Sequence, residues 1–283
     1  MLIKGPDMTS SSLKPMPEDA AETTAPAKTY DVPPVTRALA LLRYIAAGNR
    51  CRNISKASNA VGINRTTLIR LLHTLEREQM IEKAPEGDGF VLGYGVLELA
   101  SSLLSSRDIV RTSRPILHRL TVETGLSAHL GVLSATDVIV LVRETPEAQL
   151  ISNIREGSRL PAYATVMGRM ILAHMPPDAV RTVFAGFTLE PITPQTPTTL
   201  DALFEQLIAD KEAGIAWSVA FYEEGIGSCS AVVLDQNSLP VGAISLSGPQ
   251  AYFEPGSEKR QQIADGVCEA AKRLSAMMGY LGS

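Results

Sequence analysis

The chain has 283 residues, 45% of them apolar and 20% charged, with a net charge of −4. That composition excludes a disordered chain, allows two domains of ordinary size, and gives no global reason to expect a nucleic-acid partner. Three scattered cysteines, without CxxC or Cys/His spacing, exclude a disulfide framework and a recognisable metal site, so a reduced, cytoplasmic chain without metal or other cofactor is expected.

Residues 1–30 are rich in Ser, Pro, Thr and Ala without an apolar period, and read as a disordered tail. MLIKGPDMTS has no continuous apolar core for a signal peptide. No segment approaches the ~20 apolar residues of a membrane helix, so no membrane partner is expected.

From residue 35 the pattern is helical. VTRALALLRYIAAG spaces Leu39, Leu42 and Ile45 on one face before the stop at Gly48-Asn49. A short helix is expected over 55–61, then a break at Gly62. A third helix follows Asn64, a good N-cap, over about 65–78. Leu68, Leu71, Leu72 and Leu75 give it one apolar stripe. Extended runs at 80–83 and 90–92 flank PEGDG as a hairpin. Three helices and a hairpin make a winged helix-turn-helix over 31–93.

Helical patterns continue through Leu97, Ala100, Leu103 and Leu104, then over 109–124, with Pro115 as a possible kink. Residues 94–125 read as a helical linker. Beyond them, strands are expected at 127–133, 138–143, 149–154, 215–222, 228–234 and 241–247. Helices are expected at 165–174, 178–185, 199–213 and 258–279. Short polar turns between strands favour antiparallel pairing, so 126–283 is an α+β domain of the sensor type and not a doubly wound one.

Charge is not spread evenly. Residues 35–92 carry nine Lys/Arg against five Asp/Glu, whereas 93–283 carry fourteen against twenty. One module is built to meet an anion. In a helix-turn-helix the second helix enters the major groove of duplex DNA. The leucines of NRTTLIRLL anchor it, leaving Arg65, Thr66, Thr67, Ile69, Arg70 and His73 for its other faces. Arg65 and Arg70 can fork to guanine or pair with phosphate. Thr66 and Thr67 can reach phosphate, or one of them only closes the helix start. Ile69 can meet a thymine methyl or be buried. Lys56, Arg52 and Lys83 are generic phosphate contacts or solvated side chains.

Four stretches carry a resemblance. They are VTRALALLRYIA, AVGINRTTLIRLLHTLEREQMIEK, REGSRLPAYATVMGRMILAHM and EEGIGSCSAVVLDQNSLPVGAISLSGP. Together and in this order they resemble the IclR family of bacterial transcriptional regulators, from about residue 35 to 279. The resemblance implies a winged-helix domain, a helical linker and a C-terminal effector domain similar to GAF and PAS sensors. It implies a homodimer or homotetramer on a palindromic or repeated operator, acting as repressor or activator.

The family's effector pocket, carried over by position, falls on Val166, Met167, Ser218, Ser228, Ser245 and Ser247. The residues themselves fit. Ser245 and Ser247, two apart on a strand, share a face. Backbone amides near Met167-Gly168 at a helix start suit a carboxylate, and Met167 and Tyr163 can pack a ring. The acidic pair many members carry near Ser218-Val219 is missing, Ser228 replaces a common cysteine, Val232 a common proline, and Ser58 a common alanine. Ser228 is shared with members that resemble regulators of aromatic-acid breakdown. The expected effector is an organic acid, with an aromatic or hydrophobic carboxylate favoured.

Two rivals remain at this level. The second domain could only oligomerise, or Ser228 in GIGSCS could serve a hydrolase. GIGSCS fits neither G-x-G-x-x-G nor G-x-S-x-G. His73 belongs to the reading helix, His118, His129 and His174 show no metal spacing, and most of the four read as surface or satisfied core residues. No catalytic residue is assigned.

Overall fold

The computed structural model describes residues 32–85, 87–105, 108–146, 154–219 and 225–282. The chain divides between Val96 and Leu97 into two compact units. The expected tail at 1–30 lies outside the described residues.

In the first unit, α1 (Pro33–Ala46), α2 (Ile54–Val61) and α3 (Arg65–Arg77) pack with the hairpin of β1 (Ile81–Lys83) and β2 (Phe90–Leu92). Leu41, Ile45, Ala57, Ile63, Leu68, Leu72, Leu75, Ile81 and Phe90 form one buried core. The turn between α2 and α3 is set by Gly62, which closes α2 at φ 69° and ψ 31°, a conformation that costs a glycine little. Ser58 donates its hydroxyl to the Ile63 carbonyl across that turn. The small polar residue in place of alanine thus ties the turn down.

α4 (Tyr94–Ser105) spans the division between the units, and α5 (Asp108–Thr124) belongs to the second. Ile109, Val110, Ile116, Leu117 and Leu120 of α5 are buried in the second unit's core. The segment expected as a linker over 94–125 therefore includes a core helix. α5 runs through Pro115 without ending there.

The second unit is a six-stranded antiparallel sheet in the order β5-β4-β3-β8-β7-β6. Its strands are β3 (Ser127–Ser134), β4 (Asp137–Glu144), β5 (Arg159–Pro161), β6 (Ala216–Val219), β7 (Ile226–Leu234) and β8 (Pro240–Pro249). One face packs on α5 and α9 (Lys259–Met277), the other on α6 (Val166–Ala173), with α7 (Pro177–Val183) and α8 (Leu200–Ala213) beyond. The expected strand at 149–154 lies outside the described residues except for Ile154, which is in no strand. The edge strand β5 was not expected: its three residues are too few to show a period, and Pro161, which has no N–H to give a ladder, suits an edge.

The alternation along the inner strands sorts side chains by face. Ala128 and Leu130, Cys229 and Ala231, and Ile244 and Leu246 enter the α5/α9 core. The residues between them are Ser127, His129, Ser228, Ser230, Ser245 and Ser247. Five of these six are buried, because the second face is also covered.

α6 is buried along its whole length, and that includes Arg169, which is 0% exposed. Its Nε donates to Asp210 Oδ2 of α8 at 2.7 Å, and its Nη2 donates to the Trp217 carbonyl of β6 at 2.7 Å. Gln206 donates to the other Asp210 oxygen at 3.0 Å. One guanidinium thus joins α6, α8 and β6. Gly168 beside it lies against Ala162, where a Cβ would come 2.1 Å from the carbonyl oxygen. Removing one partner of a buried ion pair costs about 3–5 kcal/mol, whereas replacing both by apolar groups is far milder. Asp210→Ala is accordingly expected to destabilise the second unit by that amount, and Arg169→Met with Asp210→Leu by much less. Trp217 is the single tryptophan, so its fluorescence during denaturant unfolding measures both.

Candidate DNA-reading helix and effector cavity

The first site is α3. Asn64 caps it by accepting the Thr67 amide at 2.8 Å, as Asn53 caps α2 through Lys56 at 3.0 Å. Leu68, Leu72 and Leu75 point inward. Thr66, Ile69, Arg70 and His73 recur at i, i+3, i+4 and i+7 and are exposed, as is Arg65. This is the outer stripe of the helix. Ile69 is 53% exposed, an apolar side chain in water among polar neighbours. Thr67 is half-buried, with its amide used in the cap. Lys56 is exposed at the start of α2. Lys83, in the hairpin, lies over the Phe90 ring at 4.1 Å. Arg52 pairs with Asp88 of the hairpin at 3.0 Å, with both side chains more than half exposed, a contact worth little in stability.

The second site is a cavity between the sheet and the start of α6. It is lined by His129, Ile154, Leu160, Ala164, Thr165, Val166, Met167, Ser218, Ile226, Ser228, Ser245 and Ser247, and holds about 40 Å³. That is room for a few water-sized groups. Strand register builds its floor. Ser218 of β6 pairs with Ser228 of β7, Ser228 with Ser247 of β8, and Ser247 with Ser127 of β3. The next row pairs Ser230 with Ser245 and Ser245 with His129. Ser230 is occupied: it donates to the Ile244 carbonyl at 2.8 Å.

Of the residues singled out in the sequence, Val166, Met167, Ser218, Ser228, Ser245 and Ser247 line this cavity, and Tyr163 and Gly168 do not. Tyr163 stacks edge-on with Phe184 and Phe187 and donates its hydroxyl to the Glu190 carbonyl at 2.8 Å. Gly168 meets Ala162 instead. Thr165 precedes α6 in extended conformation and donates its side chain to the Pro161 carbonyl at 3.1 Å, so it does not cap the helix. The first-turn amides of α6 keep their donors and the positive end of the helix dipole at the cavity's rim.

Most of the histidines were expected on the surface or satisfied in the core, and His129 is neither. It is 1% exposed, and its Nε2 finds no hydrogen-bond partner among the described residues. Ser247 Oγ shares that condition. Burial and the nearby Arg143 guanidinium push the imidazole down to about 4 from 6.5, so it is neutral near pH 7. The sequence signal was a histidine in step with the strand's buried positions, but the second covered face could not be seen. No hydrogen bond joins Ser228 to a histidine among the described residues, as an activated serine needs.

The comparisons with known proteins follow the same division. Residues 34–85 match the IclR helix-turn-helix domain, and residues 101–276 match the bacterial transcriptional regulator IclR C-terminal domain. The chain belongs to the IclR family. It is 27% identical to the transcriptional regulator XynR of Escherichia coli, over 87% of this chain and 97% of that protein. It is 26% identical to the transcriptional repressor IclR of the same organism, over 92% and 94%. Among solved structures, an IclR-family regulator from Alicyclobacillus acidocaldarius matches with a TM-score of 0.75 at 25% identity, covering 88% of this chain and all of that one. A transcriptional regulator from Rhodococcus sp. RHA1 matches with a TM-score of 0.75 at 27% identity, covering 88% and 98%. The chain is therefore an IclR-type transcriptional regulator, with a DNA-binding helix-turn-helix unit and the family's effector domain. No described helix is long and apolar enough to cross a membrane.

The state of His129 has a consequence for stability. The unfolded chain takes a proton on this side chain near pH 6.5 and the folded chain only near 4. Its contribution is whole above about pH 6.5 and is lost as pH falls toward 4. His129→Asn is expected to lessen the drop in stability between pH 7 and pH 5, by on the order of 1–2 kcal/mol. NMR of the wild-type imidazole is expected to show no titration above about pH 5.

Proposed function

We propose that this IclR-family regulator reads its operator through Arg65, Thr66, Ile69 and Arg70 of α3, with Lys56 and Lys83 meeting phosphates. Its second unit binds a small organic acid in the sheet cavity, and the acid changes operator affinity. The observation that carries the first half is the stripe on α3. Its apolar side is buried, while two arginines, a threonine and a bare isoleucine are held outward. Ile69 in that stripe can meet a thymine methyl, and the arginines beside it can fork to guanine or pair with phosphate.

The carboxylate part rests on the first-turn amides of α6 beside a cavity with no charged lining side chain among the described residues. Half of the lining is neutral polar side chains and half is apolar, so the cavity offers no partner for a second charge. This favours a hydrophobic or aromatic carboxylate over a small, highly charged one. A ring fits only if the walls yield, and the unbranched side chain of Met167 is suited to that. A homodimer or homotetramer on a palindromic or repeated operator completes the proposal.

Arg70→Ala is expected to weaken operator binding by about 1–3 kcal/mol while leaving binding to random duplex nearly unchanged. Fluorescence anisotropy with both duplexes at one salt concentration measures this. Equal weakening of the two would make Arg70 a phosphate contact. Unimpaired operator binding by both Arg65→Ala and Arg70→Ala would refute the assigned face.

A further inference from the structure

Three residues that line the cavity belong to no helix or strand: Ile154, Ala164 and Thr165. Two of them are tied down. The Ala164 amide and the Thr165 hydroxyl both donate to the Pro161 carbonyl, at 3.2 and 3.1 Å, and α6 beyond them is fixed through Arg169. Ile154 instead leads into a short turn. The Arg155 amide donates to Ser158 Oγ and the Ser158 amide to the Arg155 carbonyl, each at 2.9 Å, so the turn is closed on itself. Its backbone is hydrogen-bonded to β4 at Val140: the Gly157 amide donates to the Val140 carbonyl at 2.7 Å, and the Val140 amide to the Ser158 carbonyl at 3.0 Å. Gly157 takes φ 83° there, where glycine is at ease.

Glu156 reaches out of this turn to two elements. Its carboxylate accepts from Arg114 Nη2 of α5 at 3.0 and 3.3 Å, and from the Arg143 amide of β4 at 3.1 Å. Arg114 Nη1 also lies 3.7 Å from Glu144 Oε1, and His118 Nδ1 lies 3.5 Å from Glu144 Oε2. The Arg114 and Glu156 side chains are 45% and 41% exposed, so their pairing adds little to stability. What it joins is of more consequence. Ile154 of the cavity wall is two residues before Glu156. α5 follows α4, the helix in which the chain passes from the first unit to the second.

We propose that Glu156 is the positioning residue that passes occupancy of the cavity to α5: it holds Arg114 while the cavity is narrow and releases it when an acid widens the cavity. This rests on the sensing role proposed above and adds its route through the second unit. The cavity holds about 40 Å³, little more than the ~30 Å³ share of one liquid water, so a wall must give to an acid of several carbons. α6 is pinned by a buried ion pair, and Ile154 has no regular element to hold it. Because the turn is closed, a displacement at Ile154 tilts Glu156 and is not absorbed between them. The half-exposed pair with Arg114 then opens at small cost. The acid takes room that Ile154 fills in the clamped arrangement, and that is the differential contact a population shift requires.

Operator affinity of the full chain, by anisotropy with and without saturating benzoate or pentanoate, tests it beside hydrogen exchange of the Arg143 amide. In the wild type, at least one of the acids is expected to change operator affinity about five-fold or more and to speed exchange at Arg143. Glu156→Ala and Arg114→Met are each expected to bring the acid-free operator affinity to within about three-fold of the acid-saturated wild type. That acid still binds these variants but then changes their operator affinity by less than about three-fold. Arg114→Lys keeps the charge and is expected to keep part of the response. A merely structural role would lower the melting temperature and would weaken operator binding equally with and without acid, and that result would overturn the proposal. A wild-type response in both Glu156→Ala and Arg114→Met would also overturn it while leaving acid sensing intact. An operator affinity of the wild type that neither acid moves would overturn the sensing role and the route together.

Discussion

A buried guanidinium governs the second unit. Arg169 is the one cation placed inside an otherwise apolar helix, and it spends its hydrogen bonds on Asp210 of α8 and on the backbone beside Ser218 of β6. A charge at 0% exposure survives only with partners in fixed geometry. α6 therefore cannot slide along the sheet without losing an ion pair and a carbonyl contact together. The start of that helix, with its amides and Met167, is held over the floor built by β3, β7 and β8. The cavity follows from this constraint and from strand register.

Register does the rest on the floor. Alternation puts Leu246 and Ile244 into one core and Ser245 and Ser247 onto the opposite face, and the neighbouring strands repeat the arrangement with Ser228 and His129. A one-residue slip would send the polar set into the α5/α9 core and the leucines into the cavity. The same logic, at helical period, operates in the first unit. Leu68, Leu72 and Leu75 fix the rotation of α3, and that rotation decides which residues face outward. Both units use an inflexible apolar side to present polar groups on the opposite one.

Much of this was legible in the sequence. α2, α3 and the hairpin follow from leucine spacing, the glycine at 62, the asparagine at 64 and the PEGDG turn, all local signals with one physical meaning each. The antiparallel sheet followed from short polar turns such as Asp235, whose carboxylate accepts the Asn237 and Leu239 amides at 2.8 and 2.9 Å. What was not legible depended on contacts distant in the chain. α5 has the pattern of any amphipathic helix, and only the fold shows that it enters the second unit's core. Tyr163 is near Met167 in sequence, yet its ring joins Phe184 and Phe187. His129 looked like an ordinary strand residue because the covering of the second face comes from α6, some forty residues on. The three-residue β5 carries no period at all.

The central claim is that occupancy of the sheet cavity changes how α3 engages DNA. The direct measurement is operator affinity, by anisotropy at fixed salt, with and without a saturating carboxylic acid already shown by calorimetry to bind. The acid's own affinity is then measured with and without saturating operator. Linkage requires the two changes to be the same factor, and a regulatory coupling of about 1–3 kcal/mol makes it at least about five-fold. Operator affinity unmoved by the bound acid, with acid affinity equally unmoved by DNA, would contradict the mechanism and leave the second unit as an assembly domain alone.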